Sequence, residues 1–487
     1  MNAGMADTRI EKDTLGEVRV PANALYGAQT QRAVENYPIS GLREHPVFIR
    51  AFILLKKAAA LANRDLETLE TRLADAIVRA CDEILTDEWR YRDQFVVDVF
   101  QAGAGTSFNM NCNEVIANIA NGYLGGQVGE YKPIHPNDHV NMAQSTNDVF
   151  PTAIRISTLM LLRDFWPAID LLADAFDERG DAFVDVIKSG RTHLQDAVPI
   201  TMGQEFKAYA AAVRRAARLL RDSAGELRIL GIGGTAAGTG INTPPGYRFA
   251  VVEHLNDLTD LDLQPTDDLR EAMQSQLPVA AVSAALRNLA LELTRITNDL
   301  RLLASGPQTG LAEIILPSVQ PGSSIMPGKV NPSMLECMNQ VLFHIIGADT
   351  AVALAVQAGQ LELNVMMPLM AFEILFSIEI LKNFLPVFVE KSIRGIEADR
   401  KRSEAYYISS PALATALNPI IGYARAAEIA KESAKSGKPI PQLLREKKLV
   451  SEEEIARIFT PEFLAGQADR PAPGERRAAS GERKRKK

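Results

Sequence analysis

The sequence predicts a mainly α-helical protein, in which a long central bundle of helices lies between an N-terminal domain and a small C-terminal helical domain. Three observations lead to this prediction. The chain has 487 residues, of which 46% are hydrophobic, and this is too long for one simple core. A leucine-rich seam occupies residues 283–305, and residues 333–359 form a proline-free segment that is apolar over much of a helical circumference.

The seam is the clearest helical signal. Its apolar residues are spaced by three and four in alternation, as in a heptad repeat: Leu286, Leu289, Leu293, Ile296, Leu300 and Leu303. Such a stripe requires a partner helix along its whole length. Gly306 and Pro307 then provide a helix stop.

Further long helices are predicted at residues 151–186, 202–228 and 332–358, whereas strand-like runs are few, with Val18 to Val20 the best. Helices of this length make an elongated bundle. We divide the chain into an N-terminal domain (1–145), a central bundle (146–399), a C-terminal helical domain (400–469) and a disordered basic tail (470–487).

Composition and charge exclude several classes of protein. The net charge of −7 argues against nucleic acid as a partner, and the eight Lys/Arg of residues 470–487 are interpreted as a solvated extension. No apolar run is long enough to span a membrane, and the N-terminus has no secretory signal. The three distant cysteines, Cys81, Cys112 and Cys337, indicate reduced thiols in a cytoplasmic protein.

Four segments between the predicted helices are rich in Gly, Ser, Thr and Asn, namely residues 103–111, 144–148, 190–196 and 322–332. Hydroxyls and backbone N–H groups in such turns receive anions well. A small dianionic substrate would suit the polar side chains that they offer, which include Thr106, Ser145, Thr146, Asn147, Thr192, His193, Ser323, Ser324, Lys329 and Asn331.

Each segment also has a structural interpretation. Residues 145–148 could be only an N-cap for the next helix. His193 could be an ordinary surface or core histidine, although its polar loop favours a site. His135 and His139 are four residues apart, but Pro136 breaks any helix that would align them, so we expect no metal site. The segment GSSIMPGKVNP at 322–332 differs, because a simple turn does not need its two serines, lysine and asparagine.

This last segment resembles the signature of the aspartase/fumarase superfamily. Further blocks are similar to that family: YGAQTQRAVENYPIS from Tyr26, NMNCNEVIANIA from Asn109, GRTHLQDAVPITMGQEF from Gly190 and GTAAGTGINTPPGY from Gly234. The resemblance extends from about Arg9 to Phe463. It implies a three-domain protomer whose central helices form the shared core of a homotetramer, with each active site built from loops of three subunits.

The resemblance also implies a chemistry, namely the anti β-elimination of a small dicarboxylate substrate without an organic cofactor. By position, Ser323 matches the family's base, and Lys329 and Asn331 match the residues that hold the other carboxylate. The remaining matches are His193, which we take as the second catalytic residue, and the substrate shell of Thr106, Ser145, Thr146, Asn147, Thr192 and Ser324.

Within the family, we expect removal of ammonia from L-aspartate to give fumarate, which makes the protein a carbon–nitrogen lyase. Class II fumarase is the main alternative, and a non-enzymatic structural member is a third. Four segments separate the first two: GAGTS, QSTND, GRTHLQD with Leu194, and GQLELNVMMP with Met366 and Met367. All four resemble the aspartate-specific branch.

Overall fold

Helices, including short 3-10 and π segments, make up 64% of residues 7–466, which are the residues that the computed structural model describes. The prediction of a mainly α protein is therefore confirmed. The proposed basic tail at 470–487 lies outside the described residues. The division into three domains stays a prediction.

The long helices are numbered with the short ones in chain order. They are α1 (Ala28–Asn36), α2 (Pro46–Asp65), α3 (Thr71–Thr86), α4 (Glu88–Tyr91), α5 (Thr106–Tyr123), α6 (Thr146–Ala182), α7 (Met202–Ala224), α8 (Tyr247–Thr259), α9 (Leu269–Gln274), α10 (Leu277–Leu303), α11 (Ser333–Gln357), α12 (Met367–Phe388), α13 (Arg400–Ser409), α14 (Asn418–Ile421), α15 (Tyr423–Ser436), α16 (Ile440–Glu446), α17 (Glu452–Ile458) and α18 (Pro461–Leu464).

The strands form two-stranded sheets. Three are antiparallel, joining β1 (Thr8–Asp13) to β2 (Gly16–Pro21), β3 (Ile187–Thr192) to β4 (Gln195–Thr201), and β7 (Ile314–Ile315) to β8 (Glu397–Ala398); the fourth is parallel and joins β5 (Ile229–Leu230) to β6 (Gln264–Pro265). Val18 and Val20 lie in β2 and are buried, as their strand-like pattern predicts.

The chain divides into two compact units. Unit 1 consists of Met1–Ala168, Ala216–Glu292 and Gln340–Phe384, and unit 2 of Ile169–Arg215, Leu293–Asn339 and Leu385–Lys487. Each boundary falls inside one of the five longest helices of the central region, which are α6, α7, α10, α11 and α12.

Unit 1 has an aromatic core that joins three helices. Phe48 and Phe52 of α2 pack against Phe108 of α5 and Phe150 of α6, with ring centroids between 5.0 and 5.8 Å apart. Edge-to-face and tilted contacts of this kind add specific geometry to apolar burial. The core fixes the N-terminal ends of α5 and α6, where two of the polar segments lie.

Unit 2 contains the helices from α13 to α18, which bury an apolar core of their own built around Leu413, Leu417, Leu443, Leu444 and Ile458. α17 begins with a capping box, in which Ser451 and Glu454 satisfy each other's backbone N–H groups. This unit also carries the β3–β4 hairpin and the segment at 322–332.

The predicted seam is confirmed. All six of its residues lie in α10 and are buried, with relative exposures of 5% or less. The predicted start of α6 at Pro151 was five residues late, because the helix begins at Thr146 and keeps Pro151 in its second turn.

By length and composition alone, α10 and α11 could also cross a membrane, with 44% and 33% of their most apolar windows buried. This is weak evidence for a span, because core helices meet the same criteria.

Candidate active site

The segment at 144–148 begins α6. The hydroxyl of Ser145 accepts the N–H of Asn147 at 3.2 Å, so Ser145 is the N-cap. Asp148, in the first turn, accepts the N–H of Ser145 through Oδ1 at 2.9 Å. The interpretation of residues 145–148 as an N-cap is therefore correct. The segment also lines a cavity.

Asp148 fixes a second loop beside the first. Its Oδ2 accepts the N–H groups of Gly233 and Thr235 at 3.0 and 2.9 Å. Burial raises the pKa of this carboxyl to about 6, although the three N–H donors oppose the shift. Two polar segments, 144–148 and 231–242, are thus held together by one buried side chain.

These segments surround a polar cavity of about 680 Å³ in unit 1. Four of the residues proposed from the sequence line it, namely Thr106, Ser145, Thr146 and Asn147. Asn147 also donates a hydrogen bond of 2.8 Å to the carbonyl of Ala236. The positive ends of α5 and α6 both lie at this cavity, which suits it to an anion.

The turn before α5 requires glycine. Gly105 has a φ of +82°, and a Cβ atom there would lie 2.1 Å from the ring of Phe150. Only glycine allows this close approach of the backbone to α6. The turn leaves Thr106 exposed at the first position of α5, at the rim of the cavity.

A further polar cluster, outside the predicted site residues, adjoins the cavity, and its members Asn109, Asn141 and Gln144 line it. Lys56 of α2 donates from Nζ to Oδ1 of Asn141 and Oε1 of Gln144, both at 2.9 Å. Its side chain is buried, and burial lowers the pKa of Lys56 to about 7. Asn109 and Asn113 of α5 also reach Asn141. A lysine within the apolar run FILLKKAAALA was the available signal.

Thr192 and His193 lie at the end of the β3–β4 hairpin in unit 2. The polar composition of residues 190–196 predicts a loop, whereas most of these residues are paired strand. His193 and Leu194 form the two-residue turn, and both have a positive φ, of 55° and 59°. Such turns favour Asn-Gly, so His-Leu is a strained choice. Thr192 and His193 are exposed in the single chain.

The remaining proposed residues lie in the segment at 322–332, which we call the signature loop. Ser323 accepts backbone N–H groups from Ile325 and Met326 through Oγ, at 3.2 and 3.0 Å. Asn331 closes the base of the loop by donating to the carbonyl of Gly322 at 2.6 Å. Ser324 and Lys329 are exposed.

The structure thus brings the proposed residues together in three groups. Thr106, Ser145, Thr146 and Asn147 share one cavity of unit 1, whereas Thr192 and His193 share the hairpin end and Ser323, Ser324, Lys329 and Asn331 share the signature loop. Within residues 7–466, no group of three or more His, Cys, Asp or Glu side chains is arranged to hold a metal ion. His139 instead accepts the N–H of His135.

Comparison with known proteins identifies the family. A family model described as "Lyase" matches residues 16–347, and one described as "Fumarase C C-terminus" matches residues 413–466. The aspartate ammonia-lyase of Bacillus subtilis is 48% identical over 458 residues, which are 94% of this chain and 96% of that protein. The chain belongs to the aspartase/fumarase superfamily.

Solved structures of superfamily members have the same fold. A fumarate lyase:delta crystallin from Brucella melitensis, bound to cobalt, is 46% identical with a TM-score of 0.91, over 94% of this chain and 100% of that one. A class II fumarase from Schistosoma mansoni is 34% identical with a TM-score of 0.89, over 94% and 99% of the two chains. The resemblance inferred from the sequence motifs is therefore confirmed.

Proposed function

We propose that this superfamily member is an aspartate ammonia-lyase, which converts L-aspartate reversibly to fumarate and ammonia. One observation carries the proposal: 48% identity to the Bacillus subtilis protein of that name, over 94% of this chain. The class II fumarase is more distant, at 34% identity. The cavity in unit 1 agrees with a small dicarboxylate, because hydroxyls, amides and two helix N-termini surround it.

Ser323 is the proposed base. An ordinary hydroxyl is a poor base at neutral pH, so its alkoxide must be stabilised. The two backbone N–H groups at 3.2 and 3.0 Å from Oγ supply such stabilisation, because donors to the charged form lower a pKa. Lys329, six residues further along the loop, brings a positive charge that holds a substrate carboxylate.

The reaction follows from these roles. Ser323 takes the proton from the carbon next to one carboxylate, and the C–H electron pair moves into that carboxylate to give a dianionic aci-carboxylate. The pair then forms the carbon–carbon double bond, while the C–N bonding electrons leave with the nitrogen as ammonia. Donors aimed at the dianion are each worth about 3 kcal/mol of barrier.

The remaining residues supply those donors. Thr106, Ser145, Thr146 and Asn147 offer hydroxyls and an amide from unit 1. Thr192 and His193 offer a hydroxyl and an imidazole from the hairpin end, with His193 as the second catalytic residue. Ser324 and Asn331 complete the substrate contacts from the signature loop. No organic cofactor enters this scheme.

The proposal includes a homotetramer in which three subunits contribute loops to each site. α11 is a long apolar helix that could form the shared core, yet only 33% of its most apolar window is buried in a single chain. Phe343 and Leu354 on this helix are 56% and 57% exposed. Large exposed apolar faces of this kind mark association surfaces. A cytoplasmic location is also proposed, which the three unpaired cysteines support.

A direct assay tests the activity. The purified protein is incubated with L-aspartate or with L-malate, and fumarate is followed by its ultraviolet absorbance while ammonia is measured separately. We expect equal amounts of fumarate and ammonia from aspartate and negligible fumarate from malate. Rapid fumarate formation from malate, with no ammonia from aspartate, would reverse the assignment to a fumarase.

A further inference from the structure

A buried ionic cluster lies at the base of the hairpin that carries Thr192 and His193. Glu313 has a side chain that is 0% exposed. Each of its two carboxylate oxygens accepts a hydrogen bond of 2.9 Å from one terminal nitrogen of Arg191. Lys188, which is 2% exposed, lies 3.0 Å from Glu313 and 2.8 Å from Glu205. Two cations and two carboxylates therefore balance each other inside unit 2.

The cluster connects the hairpin to its surroundings at defined points. Lys188 and Arg191 both belong to β3, whereas Glu205 lies in the first turn of α7. Glu313 directly precedes β7, and its own backbone is fixed, since its N–H donates to Leu303 and its carbonyl accepts from Asp399. A rigid acceptor is thus aimed at the strand residue next to Thr192.

The hairpin needs such an anchor because its own sequence does not favour its shape. The turn holds two non-glycine residues, His193 and Leu194, at positive φ. The register between β3 and β4 also shifts beside Gly190, where a Cβ atom would lie 2.6 Å from the carbonyl oxygen of Val198. The backbone preferences of the hairpin's own residues therefore do not fix the orientation of its turn end.

A bidentate ion pair does set direction. The guanidinium fork and the carboxylate are both planar, so two parallel bonds fix the rotation of Arg191 as well as its position. Apolar packing could hold the strand with equal strength, but it would fix the orientation of the strand less well. Burying charged groups costs desolvation free energy, so stability alone does not explain this ion pair.

We propose that Glu313 is a positioning residue for catalysis, which acts through Arg191 to orient Thr192 and His193 towards the substrate. This inference rests on the proposed role of the hairpin end in binding aspartate. Glu313 touches no reacting atom, and its effect on turnover passes entirely through the two residues at the end of β3.

The test is a double-mutant cycle on kcat/KM for L-aspartate. Glu313→Gln keeps the shape of the side chain and removes its charge, while Arg191→Lys keeps the charge and removes the fork. Each is made in the wild-type chain and in a Thr192→Ala/His193→Ala background. Glu446→Gln, which disturbs the exposed pair of Glu446 with Lys438, is the control. Assembly and thermal midpoint are measured for every variant.

We expect Glu313→Gln and Arg191→Lys each to lower kcat/KM by about 10-fold or more in the wild-type chain. In the background that lacks the Thr192 and His193 side chains, each should lower kcat/KM by less than about 2-fold. The control should match the wild type. Equal losses in both backgrounds would overturn the inference, and so would wild-type kinetics for Arg191→Lys. If Glu313→Gln does not fold, Arg191→Lys decides the question, because it leaves the charge balance intact. Wild-type activity in the Thr192→Ala/His193→Ala protein would instead refute the proposed role of the hairpin end.

Discussion

Asn109 of α5 donates a hydrogen bond of 2.9 Å from Nδ2 to the hydroxyl oxygen of Thr146 at the start of α6. Both side chains are buried, with relative exposures of 2% and 8%. Because the threonine oxygen accepts this bond, its own proton is free to point into the cavity. Asn109 thereby makes Thr146 a donor to an anionic ligand.

The first prediction is that Asn109→Ala lowers kcat/KM for aspartate by about 10-fold, since one hydrogen bond to a charged ligand is worth about 1.5–3 kcal/mol and part of it is lost. Asn113→Ala is the matched control, because Asn113 lies on the same helix and also donates to Asn141, at 3.3 Å. Equal losses in the two variants would mean that Asn109 supports the fold and does not orient Thr146.

The bond between Asn109 and Thr146 also indicates the limit of prediction from sequence. Its partners are 37 residues apart and meet only where α5 and α6 meet, so no local pattern reveals it. The seam of α10 was predictable because a heptad spacing is local and requires burial wherever it occurs. The four polar segments were predictable from composition, which indicates the functional groups of a site but not their arrangement in space.

The hairpin at 187–201 illustrates a second limit. Its turn residues, His193 and Leu194, lack the Asn-Gly signal of a tight hairpin. Tertiary contacts, above all that of Arg191 with Glu313, override the local preference. Lys56 was missed for a related reason, because the sequence alone does not distinguish a buried lysine from one whose charged end reaches solvent.

The second prediction separates chemistry from binding in the signature loop. Ser323→Ala should lower kcat by about 10²- to 10⁴-fold while a non-reactive dicarboxylate still binds, because the variant loses only the base. Lys329→Ala should instead raise KM by about 10- to 100-fold, since a carboxylate loses its cation. Steady-state kinetics and calorimetric titration measure both effects. A Ser323→Ala enzyme with wild-type kcat would exclude Ser323 as the base.

The third prediction concerns Glu44, a buried carboxyl that accepts a hydrogen bond of 2.9 Å from Gln101. Burial, together with the charge of Asp98, raises the pKa of Glu44 from 4.5 to about 8. The folded state thus keeps a proton that the unfolded chain releases. The stabilisation that the protonated Glu44 side chain gives to the folded state is complete below pH 4.5. Between pH 4.5 and about 8 the free energy of unfolding then falls by about 1.4 kcal/mol per pH unit, until this stabilisation is lost.

Glu44→Gln cannot ionise, so its thermal midpoint relative to the wild type should rise steadily between pH 5 and pH 8. Glu253→Gln, an exposed position in the same unit, provides the comparison for a change of charge without burial. A difference between Glu44→Gln and the wild type that stays constant with pH would show that Glu44 is ionised in the folded protein.

The fourth prediction concerns assembly. If Ser323 and His193 of one site come from different subunits, random mixing of Ser323→Ala and His193→Ala chains should restore about 25% of wild-type activity. The two chains are co-expressed with different tags, and hybrids are purified through both. Hybrids no more active than their parents would contradict a shared site, as would full activity in a monomeric preparation.

An aspartate ammonia-lyase adds ammonia, and not water, to fumarate in the reverse reaction. The most direct measurement gives both nucleophiles to the enzyme at once, by incubating it with fumarate and ¹⁵N-labelled ammonium in water. Products are then resolved by nuclear magnetic resonance over the first minutes of reaction. The expected product is ¹⁵N-labelled L-aspartate, without malate. Malate formed in place of labelled aspartate would contradict the proposed function.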